Sequence, residues 1–254
     1  MNKNVMKNLS IAAIVLLMSS VFVACTSDDD TGPTPIQSGS LAIMTKATYA
    51  PVTTNSLDVN FLEISSFKVN FEEIELEYND DFVPESFDND PYYDSMDDIE
   101  LEGPFEVELM SAEPVTIVDI PVPNGVIEEI EFEFDKGKNS DSDLYNKSMK
   151  MEGMLDGQPF VFWHDFEEEI EIEFEEGNQD LVIQNNESEV IINFDLNEVF
   201  GGIQHVDMSQ ATDGNGDGVI EISPEDDDGN NQLAEELKQA IKAHIEFIED
   251  MYED

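Results

Sequence analysis

The chain has 254 residues with 60 acidic and ten basic side chains, a formal charge of −50, and every basic residue is a lysine. Such a field repels nucleic acid and anionic lipid, and without arginine it lacks the planar fork that reads phosphates, so nucleic-acid binding is excluded. Sixteen Phe and strongly patterned apolar residues exclude a chain disordered throughout.

Residues 1–24 read as a targeting segment. Lys3 and Lys7 give a positive start, and the apolar run Leu9 to Val23 is short for a membrane span but suits a signal-peptide core. It ends in Phe22-Val23-Ala24-Cys25, which resembles the lipobox of bacterial lipoproteins, where cleavage precedes a lipidated cysteine. Lipidation also accounts for the chain's only cysteine, which would otherwise be an odd thiol in an exported domain. Cleavage would remove two lysines and no acid, deepening the charge from −50 to −52.

Residues 25–39, rich in Ser, Thr, Asp, Gly and Pro, cannot bury enough apolar surface to fold and read as a tether. The run Ser27-Asp28-Asp29-Asp30 resembles the surface-export signal of Bacteroidetes lipoproteins, which implies an outer-membrane protein facing outward; a plain solvated linker is the alternative.

From Ser40 to about residue 200 the dominant period is two. Leu41, Ile43 and Thr45 alternate with polar or small residues, as do Phe67, Val69 and Phe71, and then Ile74, Leu76 and Tyr78. The shift at Glu72-Glu73 predicts a bulge. Residues 79–100 read as an acidic loop with Phe82, Phe87, Tyr92 and Tyr93, which either pin it to the fold or offer stacking surfaces. Further strands follow at Phe105 to Leu109, Thr116 to Ile120, Ile130 to Phe134, Phe160 to Phe162, Ile170 to Phe174, Leu181 to Ile183 and Val190 to Phe194. Asp156-Gly157 signals a hairpin. Alternation with one wet face and no intervening helix predicts an antiparallel β-sandwich. The wet face is mostly Glu, and like charges across a sheet destabilise it unless they splay apart or are bridged by cations.

Residues 201–254 read as a calcium loop and a helix packed on the sandwich. Calcium takes six to eight hard oxygens. Asp213, Asn215 and Asp217 stand at loop positions one, three and five, Val219 offers a carbonyl at seven, and Glu221 stands at nine. Gly218 falls at the sharp turn and Ile220 anchors the loop to a core. At position twelve Pro224 replaces the expected glutamate; Glu225 is the nearest substitute, with Asp226 or Asp228 as alternatives. Leu233, Leu237, Ile241, Ile245 and Ile248 then form one apolar stripe on a helix of about twenty residues.

Several segments carry a resemblance to a family of uncharacterised Bacteroidetes surface lipoproteins with an EF-hand-like calcium loop near the C-terminus. They are Gly103 to Leu109, Pro121 to Gly125, Gly157 to Phe160, and Asp213 to Pro224 with the following helix. The resemblance implies a location and a fold and no activity. The sequence holds no HExxH, no GxSxG and no phosphate-cradling loop, and His164, His205 and His244 stand far apart along the chain. The expectation is therefore a membrane-anchored, surface-exposed, non-enzymatic module with a structural Ca²⁺ and a glycan or protein ligand. The alternative is a carbohydrate-active or other hydrolytic enzyme that uses two of its many carboxylates.

Overall fold

A computed structural model describes residues 38–50, 62–79, 98–174 and 181–250, with backbone alone for 247–250. The targeting segment, Cys25, nearly all of the tether and most of the acidic loop lie outside these residues. Everything described belongs to one unit, Ile36–Asp254.

Twelve strands and two helices follow in order: β1 Ser38–Thr48, β2 Leu62–Tyr78, β3 Asp98–Glu108, β4 Val115–Pro123, β5 Gly125–Phe134 and β6 Met149–Leu155. Then come β7 Gln158–His164, β8 Glu168–Glu173, β9 Leu181–Ile183, β10 Glu187–Asp195, α1 Leu196–Gly201, β11 Ile220–Ile222, α2 Asn231–Ala243 and β12 Ile245–Asp250. One sheet has the order β12-β10-β1-β4; the other runs β11-β7-β6-β2-β5-β8, with β3 also on β2 and β9 also on β5. The two form the curled, sandwich-like arrangement that the alternation predicts. The sheets are mixed, not purely antiparallel: β1 pairs β10 and β7 pairs β11 in parallel. Parallel neighbours need long connections, so this pairing leaves no local trace in the sequence.

The two-residue period decides which side chains enter the core. Phe67, Phe71, Phe132, Phe134, Phe162 and Phe194 are all buried, each contributing about 1.5–3 kcal/mol of burial. Phe194 of β10 meets Phe67 of β2 edge-on at 5.7 Å and Phe134 of β5 at 6.4 Å, which ties one sheet to the other. The predicted bulge is present, with the register of β2 slipping between Phe71 and Glu73 against both neighbours. The predicted hairpin is also present: Asp156 and Gly157, at φ 52° and 82°, join β6 to β7 as a type I′ turn does.

β2 is long enough to serve two partners on one edge. Its first half pairs β6 and its second half pairs β5, while β3 takes the opposite edge. Residues 135–148 leave the sheet at the junction. Buried Asn70 holds that junction, its backbone N–H donating to the Ser148 carbonyl at 2.8 Å and its amide to the Asp135 carbonyl at 2.8 Å.

The expected twenty-residue helix is corrected. α2 stops at Ala243, and Ile245–Asp250 forms β12, antiparallel to β10. Without β12, β10 would present an unpaired edge, and an Ile- and Phe-bearing segment suits a strand better than an exposed helix end. The C-terminal region is thus built into both sheets, through β11 and β12.

Candidate functional site

The loop after β10 and α1 closes on the side chain of Asp213. Its Oδ1 accepts the backbone N–H groups of Gly216 at 2.7 Å and Asp217 at 3.1 Å, and its Oδ2 accepts Gly218 N–H at 3.0 Å. Gln158 Nε2, at the start of β7, donates to the same Oδ2 at 2.9 Å. Asn215 Oδ1 accepts Asp217 N–H and Asp217 Oδ1 accepts Val219 N–H, at 2.8 and 2.9 Å. Gly218 has φ 97°, the left-handed backbone that glycine adopts most easily. Ile220 is buried and pairs with Phe160, so β11 anchors the loop as the sequence predicts.

Beyond β11 the chain folds back through two buried carboxylates. Asp228 accepts Asn215 N–H at 3.0 Å and Glu221 N–H at 2.7 Å, bridging loop positions three and nine. The approach is close: a Cβ on Gly214 would lie 2.2 Å from the Asp228 carbonyl oxygen. Asp226 accepts the N–H groups of Ser223, Gly229 and Asn230 at 2.7–3.0 Å. Asn230 donates to the carbonyls of Thr212 and Glu221 at 2.8 and 2.6 Å, stapling the two ends of the loop beside the start of α2. Of the acids after Pro224, Asp228 is the one whose carboxylate touches the loop. Exposed Glu225 lies instead beside Trp163 in a neighbouring cleft. Glu221 faces the same way, its Oε1 accepting Trp163 Nε1–H at 2.9 Å. Asp228 is one of the alternatives the sequence offers for position twelve, whereas nothing in local spacing identifies Trp163 as a neighbour of the loop, because that contact joins separate segments.

The donors are of the class that suits a hard cation, although no three acidic side chains of the loop bring their oxygens within 4.8 Å of one another. Asp213, Asn215, Asp217, Val219 and Glu221 offer side-chain or carbonyl oxygen and no sulfur, as calcium prefers. Among the described residues, three acidic side chains with ligating oxygens within 4.8 Å of one another occur elsewhere, at Glu77, Glu129 and Glu131.

That triad belongs to a larger array. The three Glu-rich runs that the sequence shows separately are neighbours: β2, β5 and β8 lie side by side, with β3 beyond β2. Register sets Glu102, Glu73, Glu133 and Glu169 in one row and Glu100, Glu75, Glu131 and Glu171 in the next. Asp98, Glu77, Glu129 and Glu173 make the third. Their strand partners Ile74, Leu76, Ile130 and Phe132 are buried, so the acids share the outer face. Desolvation, then mutual repulsion, raises the carboxyls of Glu75 and Glu129 from 4.5 to about 7. The same causes raise Glu73, Glu131 and Glu133. Among the described residues, lysines approach this face only at one end, where Lys138 pairs with Glu72 and Asp135.

The histidines serve separate parts of the fold. His164 is buried under Phe166, with Nε2 3.4 Å from Glu235, and desolvation lowers its pKa. Exposed His205 meets the Gly202 carbonyl at 3.0 Å, and His244 caps α2. Lys238, buried on α2, bonds Glu168 at 3.1 Å and Glu235 at 2.8 Å, and Lys242 joins Glu168 from the next turn. These pairs fasten α2 to β8. Among the described residues no helix is long and apolar enough to cross a membrane. Set against protein-family models, curated proteins and solved structures, the chain matches none.

Proposed function

We propose that the chain is an exported lipoprotein, anchored through Cys25 to the outer membrane and facing outward, whose C-terminal loop holds a calcium ion. In this reading it is a non-enzymatic binding module for a glycan or protein, and the ion fastens α2 and β11 to the sandwich. The observation that carries the calcium reading is the closure of residues 213–221 around Asp213, with Asp228 folded against positions three and nine. Asp228 then stands in for the acid missing at position twelve. As an extracellular structural site it would bind with a Kd on the order of 10⁻⁴–10⁻³ M. The carboxyls with raised pKa stand on the outer sheet face, which favours binding over a hydrolytic pair.

The test is the melting temperature of the mature chain in calcium, in magnesium and in chelator, beside Asp213→Ala/Asp217→Ala. A rise specific to calcium and lost in the double variant is expected. An equal rise with both ions, unchanged in the variant, would reduce the effect to screening of the acidic surface and sink the site. For the anchor, Cys25→Ala should move the protein from the membrane to the soluble fraction; a variant still sedimenting with membranes would refute lipidation.

A further inference from the structure

On the outer side of β7, next to the loop, Trp163 opens onto a cleft of about 500 Å³ lined by Tyr145, Asn146, Lys147, Asp165 and Glu225. That volume lies within the roughly 300–1,000 Å³ of small-molecule sites. The chain's only tryptophan is thus placed outside the core, half-buried, on a face it shares with Pro159 and Val161 of β7 and with Lys150, Glu152 and Met154 of β6. Its ring is held in place: the Glu221 carboxylate fixes Nε1–H at 2.9 Å.

The opposite wall is equally fixed. Residues 135–148 are closed by Asn146 N–H to the Gly137 carbonyl at 2.9 Å, Gly137 N–H to the Lys147 carbonyl at 3.0 Å and Lys147 N–H to the Leu144 carbonyl at 2.8 Å. Leu144 is buried beneath them as a plug. The loop presents Tyr145, 42% exposed, and Asn146, which tolerates φ 58°. None of the Tyr145 hydroxyl, the Asn146 amide or the Glu225 carboxylate makes a side-chain hydrogen bond to the described protein. Lys147 Nζ has only a long contact to the Tyr145 carbonyl, 3.4 Å, and a position 5.3 Å from the centre of the indole ring.

We propose that this cleft binds a neutral sugar unit of a glycan, with Trp163 as its stacking platform. The C–H face of a pyranose is slightly positive and suits the negative face of an indole. Its vicinal hydroxyls both donate and accept, which matches an amide, a phenol, a carboxylate and an ammonium with open valences. Charge disfavours an anionic ligand: Lys136 is shared between Glu167 at 2.7 Å and Asp165 at 3.8 Å, Lys147 and Glu225 are of opposite sign, and the −50 field of the chain opposes anions. Lys147 is weakly held and swings aside or donates to a hydroxyl. The inference gives the binding-module reading its ligand class and rests on that reading, but it does not depend on the calcium ion.

The single tryptophan makes the test direct. Trp163 emission of the mature chain is followed during titration with neutral hexose, N-acetylhexosamine and pentose disaccharides, and with glucose 6-phosphate as an anionic control. A saturable change with a neutral disaccharide is expected. Asn146→Gly, which deletes the amide yet keeps the left-handed backbone easy, and Tyr145→Ser should each weaken it about tenfold. Their unliganded emission and melting temperature should match the parent. No saturation with any neutral sugar, saturation by the phosphate alone, or variants that bind as the parent does would each overturn the proposal. Calcium binding is read from melting and sugar binding from emission, so either reading can fail while the other stands.

Discussion

The carboxylates of Asp213, Asp217, Asp226 and Asp228 meet backbone N–H groups, whereas those on the outer face of β3, β2, β5 and β8 meet one another. Asp213, Asp226 and Asp228 together accept eight backbone N–H bonds, and the last two are buried. In the array, register puts Glu75 directly opposite both Glu100 and Glu131, with no lysine between. Carboxylates therefore act in opposite senses in the two regions: one set organises a loop, the other strains a sheet. What differs is the backbone. A loop can turn its N–H groups toward an acid, but a strand has already committed them to its neighbours.

The largest effect should come from breaking the organised set. Asp228→Ala removes the acceptor of Asn215 and Glu221 N–H groups at a buried position, and should cost about 3 kcal/mol of stability in urea unfolding. Asp228→Asn keeps an acceptor for one of them and should cost roughly half of that. If Asp228→Ala were instead neutral or stabilising, the loop acids would be no different from the array, and the comparison would collapse.

The second effect has the opposite sign. Glu75→Gln/Glu131→Gln removes a directly opposed pair from the middle row and should stabilise the protein by about 1 kcal/mol at pH 8. The gain should vanish near pH 4. Because the folded pKa of Glu75 and Glu129 is raised from 4.5 to about 7, the folded state holds more protons than the unfolded one in that window. Stability must then fall as pH rises from about 4.5 to about 7, and the penalty is full above it. Thermal melts across that range should show the decline in the parent and a flatter curve in the double variant. His164, whose pKa is lowered, acts in the opposite sense in the same window, so the array is read from the difference between parent and double variant. A difference that does not grow with pH would show that the array is already neutralised by some other means.

Much of this contrast is visible in the sequence only in part. The alternation of Ile74, Leu76, Ile130 and Phe132 with Glu names the wet face of each strand, because a two-residue period fixes the side of a side chain. It cannot name the neighbour, so three Glu runs that share one face look like three separate ladders. The bulge at Glu72-Glu73 and the hairpin at Asp156-Gly157 were legible because both are local. Ile245 and Ile248 mislead for the reverse reason: their spacing continues the stripe of α2, but β10 needs an edge partner, and a distant strand outweighs a local period. In the loop, Asp213 to Glu221 is readable from spacing, while Asp228 bridges positions seven and thirteen residues away. Trp163 meets Glu221 across 58 residues, a relation that only the β7–β11 pairing creates.

The smallest effect sharpens the argument about geometry. Glu100 carries the same charge as Glu75 and sits in the same row, but it is exposed on β3, with one acidic neighbour across the sheet instead of two. Glu100→Gln should therefore change stability by no more than about 0.5 kcal/mol, clearly less than Glu75→Gln measured beside it at pH 8. If the two single substitutions stabilise equally, the array acts as a diffuse field in which position does not matter, and 1 M salt should erase both gains by shortening the screening length to about 3 Å. If Glu75→Gln retains its advantage in high salt, the repulsion is short-ranged and desolvated, held at the centre of the array by the register of β2 between β3 and β5.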